Sequence, residues 1–183
     1  MQTTTSTDEI DITIDTLGHL GDGVAEVDGA QMFVPLALAG ERVRVRPNAE
    51  GKADLLKILE PSASRIKPPC KHFGQCGGCA LQHVEASAYA EWKRLQVIAA
   101  LSARGIDVEV DALISAGSNS RRRATFAATR TKKGVTLGYY ARASHNIIAV
   151  SECPLIVPEI EAAFAALAEV VAPGLSRKGR AAL

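Results

Sequence analysis

Lysine and arginine are missing from Met1 to Glu41, a stretch that carries eight acidic residues. Aspartate and glutamate are missing from Ala112 to Ser151. The net charge of +1 over 183 residues therefore conceals a segregation of sign along the chain. It excludes a uniform polycation and points to a local electropositive surface in the second half, suited to an anionic partner. Apolar runs long enough to cross a bilayer are also missing, and the Thr-rich N-terminal stretch has neither a basic nor an apolar leader pattern. A cytoplasmic protein without a membrane partner is expected.

Cysteine is scarce, at four residues. In a reducing compartment a disulfide framework is disfavoured, which turns attention to metal ligation. The spacing is C-x5-C-x2-C for Cys70, Cys76 and Cys79, followed far along the chain by Cys153-Pro154. Structural zinc sites usually arrange their ligands in two C-x2–4-C pairs. Three ligands in one loop plus one remote cysteine before a proline is closer to the spacing of iron–sulfur proteins. Gly77 and Gly78 would let backbone N–H groups approach cluster sulfurs. Spacing alone leaves both cluster and zinc open. His72 and His83 flank the loop and are expected to be supporting or surface residues, because four thiolates already complete a site.

Other chemistry is absent. Gly18, Gly21 and Gly23 have the wrong spacing for a dinucleotide fingerprint, and no helix pattern follows them. No catalytic constellation of nucleophile, base and orienting acid is visible.

The pattern predicts a mainly β protein with some α structure, in two regions: residues 1–61 and residues 62–183. In the first, Ile10, Ile12 and Ile14 alternate with polar residues. Asp28-Gly29 marks a hairpin, Val43 and Val45 alternate with Arg42, Arg44 and Arg46, and Leu55 to Leu59 closes the set. Five short strands in this space suggest a small OB-like barrel. In the second region the cysteine loop precedes a predicted helix over 87–104, with Tyr89, Trp92, Leu95, Ile98 and Leu101 on its apolar stripe and Gly105 at its end. Strands are predicted over 123–129, 135–140 and 147–150. A last helix should start at Pro158, with Ile160, Ala163, Phe164, Leu167, Val170 and Val171 as its stripe. The acid-free stretch supplies Arg121, Arg122, Arg123, Arg130, Lys132, Lys133, Arg142 and His145, and Tyr140 is its outward aromatic. Basic side chains can neutralise phosphates, and aromatic faces can stack unpaired bases. Arg42, Arg44 and Arg46 are the RNA candidates of the first region.

Several of these pieces resemble a known family. Gly21-Asp22-Gly23-Val24-Ala25, Met32-Phe33-Val34-Pro35 and Gly40-Glu41-Arg42-Val43 resemble a TRAM domain. The loop from Cys70 to His83, with Tyr89 and Lys93, resembles the iron–sulfur loop of RNA 5-methyluridine methyltransferases of the bacterial 23S rRNA type. Arg121-Arg122-Arg123-Ala124, Leu137-Gly138-Tyr139, Ser144-His145 and Cys153-Pro154-Leu155 continue the match. The resemblance implies a [4Fe–4S] cluster on Cys70, Cys76, Cys79 and Cys153, organising an RNA-binding α+β domain. It implies catalysis in a Rossmann-like domain that binds S-adenosylmethionine, with the target base flipped from its stack. No cofactor-binding or nucleophile motif of that kind occurs up to Leu183, so this chain is expected to be an N-terminal portion, inactive alone and working with a separate C-terminal methyltransferase portion. The competing expectations are a stand-alone nucleic-acid-binding module with zinc or a cluster, and a redox sensor whose cluster gates RNA binding.

Overall fold

The computed structural model of the protein describes residues 8–48, 51–132, 134–175 and 180–182. Its contacts gather into two compact units, Met1–Lys67 with Ala80–Ile114 and Pro68–Cys79 with Ser115–Leu183. The residues after position 61 are thus divided between the two.

In the first unit, β1 (Ile10–Thr13), β2 (Thr16–Leu17), β3 (Gly23–Val27), β4 (Ala30–Val34), β5 (Arg42–Pro47) and β6 (Ala53–Glu60) form two antiparallel sheets, ordered β1-β5-β6 and β2-β3-β4. The sequence predicts five strands, and the structure has six because the first is broken. The Ile14 N–H donates to the Glu41 carbonyl and the Asp15 N–H to the Val24 carbonyl, each at 2.8 Å. Within two residues the chain leaves the edge of β5 and joins β3. Two residues are too few for a period to reveal β2.

The hairpin between β3 and β4 turns at Asp28 and Gly29, both at positive φ (52° and 77°), as a type I′ turn requires. In β5 the period of two is fully expressed: Val43 and Val45 are buried, and Arg42, Arg44 and Arg46 face solvent. Ile14, Ala25, Val34, Ala37, Val43, Val45 and Ala53 join both sheets in one core. Each fully buried Val or Ile contributes about 1.5–3 kcal/mol.

The helix α1 (Ala86–Ser102) begins where the Glu85 carboxylate accepts from the N–H groups of Ser87 and Ala88. It ends in a Schellman arrangement: Ile106 N–H donates to the Leu101 carbonyl and Gly105 N–H to the Ser102 carbonyl, with Gly105 at φ 71°. The Trp92 indole N–H donates to the Leu17 carbonyl at 3.3 Å. The expected stripe is only partly inward, since Leu95 is exposed and no α1 residue is fully buried. Steps of three residues drift by about 60° around a helix, so five of them cannot share one face.

The second unit holds β7 (Ala127–Thr131), β8 (Gly134–Tyr140), β9 (Ile147–Ala149), α2 (Pro158–Ala162), α3 (Phe164–Val171) and β10 (Arg180–Ala182), with the sheet ordered β10-β7-β8-β9. β7 starts at Ala127, not at Arg123. Residues ahead of it bond elsewhere: Arg121 N–H donates to the Leu155 carbonyl (2.8 Å) and Val157 N–H to the Arg121 carbonyl (3.0 Å). The expected final helix is two helices, broken at Ala163. Ile160, Phe164, Leu167 and Val171 pack on Phe126, Ala128, Leu137 and Ile156, whereas Val170 of the expected stripe is 75% exposed. Among the described residues no helix is long and apolar enough to cross a membrane.

Candidate metal centre and nucleic-acid interface

All four cysteines are free thiols, half-buried, and all belong to the second unit. The loop that carries three of them is built from tight turns. Phe73 N–H donates to the Cys70 carbonyl, and Gln75 and Cys76 N–H groups both donate to the His72 carbonyl. The loop is fastened to the end of β8: Gly77 N–H donates to the Tyr140 carbonyl at 2.8 Å, Arg142 N–H donates to the Gln75 carbonyl at 3.1 Å, and Cys76 bridges Ala141. A side chain at Gly77 would set its Cβ 2.9 Å from that Tyr140 oxygen. Only glycine lets the loop lie this close.

The segment of Cys153 is tied both to α2 and to the loop. Its N–H donates to the Glu161 carboxylate at 2.9 Å, and Glu152 pairs with Lys71 of the loop at 3.3 Å. Cys153 also packs against the apolar cluster that holds Tyr139.

Electrostatics couples these groups. Burial pushes the Cys76 thiol up; a bond from Gly78 N–H opposes this, and the charges of Cys70 and Cys153 add to it. The Gly78 N–H lies 3.4 Å from Cys76 Sγ. Burial, then the charge of Cys153, pushes the Tyr139 phenol up to about 12. The His72 Nε2 is buried without a hydrogen-bond partner. Among the described residues no three His, Cys, Asp or Glu side chains stand close enough to hold a single metal ion. Four soft sulfur donors, a backbone N–H on one sulfur and a glycine where the loop meets β8 all belong to the second unit. His83 is 1% exposed and belongs to the first unit, so it is neither a surface residue nor a neighbour of the thiols within theirs.

The basic residues fall into distinct situations. Arg42, Arg44 and Arg46 share one face of β5 but meet acids there. Arg42 pairs with Glu60 (2.7 Å), Arg44 with Asp11 (2.7 Å) and Arg46 with Glu9 (3.0 Å). The Arg44 bond lowers the Asp11 carboxyl below its usual range and raises the Arg44 guanidinium in turn. Arg130 donates to the carbonyls of Ala172 and Leu175 at the end of α3. Arg122, Arg123 and Lys132 are exposed, and Lys133 lies outside the described residues. The turn after β8 brings Tyr140 and His145 together edge to face, with ring centroids 6.3 Å apart. Tyr140 is 43% exposed while Tyr139 packs at 5.0 Å on Phe126. Tyr140, Arg142 and His145 therefore sit on the turn that clasps the cysteine loop.

Sequence reasoning missed Glu41 and Arg65. Glu41 has no exposed surface and accepts from the Leu38 and Ser62 N–H groups and from Arg65. A lone acid between turn glycine and strand carries no pattern that signals burial.

No family model matches the chain. It is similar to an uncharacterized RNA methyltransferase of Brucella suis, 49% identical over 166 residues, covering 89% of this chain and 40% of the relative. A similar protein of Caulobacter vibrioides, also named an uncharacterized RNA methyltransferase, is 42% identical over 168 residues, covering 90% of this chain and 40% of the relative. The 23S rRNA (uracil(1939)-C(5))-methyltransferase RlmD of Halomonas elongata is 37% identical over 169 residues, covering 88% of this chain and 35% of the relative. The chain thus spans about 40% of the length of the curated relatives it matches.

Proposed function

We propose that this chain is the RNA-recognition and iron–sulfur portion of an S-adenosylmethionine-dependent RNA uracil-5 methyltransferase, acting on rRNA. The carrying observation is similarity along 88–90% of the chain to proteins named as RNA methyltransferases, one of them a 23S rRNA uracil methyltransferase. The two-sheet part of the first unit serves as the TRAM domain. The second unit is the RNA-binding domain, and a [4Fe–4S] cluster on Cys70, Cys76, Cys79 and Cys153 fastens its loop to its remote segment. S-adenosylmethionine binding and the attacking cysteine belong to sequence outside these residues.

The RNA surface in this reading is the turn bearing Tyr140, Arg142 and His145 together with Arg121, Arg122, Arg123 and Lys132. Stacking and phosphate contacts are then adjacent to the cysteine loop, so an ordered loop orders the RNA surface. The test is fluorescence anisotropy with a single-stranded 23S rRNA fragment and a DNA duplex of equal length. The reading expects tighter binding to the RNA, with Tyr140→Ala weakening it by about 1–3 kcal/mol, the usual worth of one stacked base. Equal affinity for both, untouched by Tyr140→Ala, would contradict it.

A further inference from the structure

We propose that Lys93, held over the rings of Tyr89 and Trp92 on α1, contacts a phosphate of single-stranded RNA and gives the first unit a grip of its own on the strand. The inference rests on the RNA reading above and deepens it, because that reading draws its RNA surface from the second unit.

Tyr89 and Lys93 stand four residues apart on α1 and Tyr89 and Trp92 three apart, spacings that bring side chains together on a helix face. The Lys93 Nζ lies 5.3 Å from the Trp92 ring centroid and 5.8 Å from that of Tyr89. Both distances fall within the reach of about 6 Å over which a ring face attracts a cation. The ring centroids are 6.2 Å apart and the planes are inclined at 35°. Both rings are half-buried, and the Trp92 indole N–H donates to the Leu17 carbonyl of β2 at 3.3 Å. The aromatic platform is therefore fixed to the sheet, while Lys93 itself is exposed. In the sequence Tyr89 and Trp92 read only as members of an apolar stripe.

What holds a cation decides what it can still bind. Arg42, Arg44 and Arg46 each face a carboxylate, and so do Arg65 and Arg94, whose partners are Glu41 and Glu91. Arg94 also donates to the Val110 carbonyl at 2.9 Å. A phosphate must displace a carboxylate from each of these arginines. Lys93 forms no ion pair among the described residues. Its ring partners carry no net charge, so its own charge stays available to an anion. The rings also restrict a long side chain, which lowers the conformational freedom lost when the ammonium meets a phosphate. An ammonium is a point charge without the planar fork of arginine, which suits it to the phosphate backbone. The contact is then independent of base sequence and appears in the salt dependence of binding.

The experiment is fluorescence anisotropy of the full chain with the single-stranded 23S rRNA fragment, between about 0.1 M and about 1 M salt, with the DNA duplex alongside. Lys93→Met keeps the stem and removes the charge; Lys93→Arg keeps the charge. One lost single-strand phosphate contact lowers the slope of log affinity against log salt by about 0.7, or about fivefold in affinity at the low-salt end. Lys93→Met should show both losses, and Lys93→Arg should keep the parent slope. Should Lys93→Met fold poorly, the polar Lys93→Gln should give the same change in slope. Thermal melts separate the roles: a lysine that only braces α1 lowers the melting temperature of Lys93→Met and leaves the slope alone. Tighter binding of the RNA than of the duplex, with the parent slope kept in the uncharged variants, overturns the Lys93 contact alone. Equal affinity of the parent for both nucleic acids overturns the RNA reading, and this inference with it.

Discussion

Glu41 has no exposed surface, yet it carries a charge that four donors hold in place. Burial pushes its carboxyl up, but the bonds from Arg65, Leu38 N–H and Ser62 N–H together outweigh burial and lower it below its ordinary value. The group therefore contributes stability above the unfolded carboxyl pKa of about 4.3, and that contribution is lost as pH falls through the lower folded value. Glu41→Ala should destabilise the first unit by about 3 kcal/mol, the low end for breaking a buried pair, because Arg65 keeps 19% of its side chain exposed. Glu41→Gln should be destabilised at neutral pH but lose less of its stability below about pH 4 than the parent. Thermal melts across pH read both effects, and parallel acid limbs would show that Glu41 does not titrate against this site. The β5 arginines stand in contrast. Their pairs are exposed and salt-screened, worth little to stability, but they offset the positive charge that phosphate would seek.

The cysteine loop, β8 and the turn after it form the element on which the proposed site depends. Gly77→Ala would drive its Cβ into the Tyr140 carbonyl, and backbone cannot swing aside as a flexible side chain can. The loop should lift from β8, with at least half of the bound iron lost and RNA affinity reduced in parallel. Metal analysis and anisotropy on the same preparation check this; retention of both would mean that the clasp is not needed. Much of this architecture was legible in the sequence. Alternation placed β3, β5 and β8, Asp-Gly placed the hairpin, and glycine placed the end of α1. What stayed hidden depended on tertiary partners: the two-residue β2, the retreat of β7 to Ala127 once Arg121 bonds to Leu155 and Val157, and the break at Ala163. The site followed the same rule. The cysteines and their spacing were visible, while the acids paired with Arg42, Arg44 and Arg46 could be found only by their neighbours in space.

Across the molecule, the segregation of charge along the sequence becomes a difference between surfaces. Arginines of β5 are matched by Asp11, Glu9 and Glu60, whereas Arg121 to Arg123 come from an acid-free stretch. RNA affinity should therefore depend mainly on the second unit. Replacing Arg121, Arg122 and Arg123 by Gln should reduce the slope of log affinity against log salt by about 2, at roughly 0.7 per single-strand phosphate contact. The same change at Arg42, Arg44 and Arg46 should move it by less than about 1. Equal effects would show that the β5 ion pairs open on RNA.

The central claim is that four cysteines from two distant stretches hold an iron–sulfur cluster that organises an RNA-binding unit. Its most direct test is the content of iron, zinc and acid-labile sulfide in the chain purified without exposure to air, set beside that of Cys153→Ser. The account predicts iron with matching sulfide in the parent, and loss of most of both, with a lower melting temperature, in Cys153→Ser. Zinc without sulfide, or a Cys153→Ser protein that keeps its iron and its stability, would contradict it.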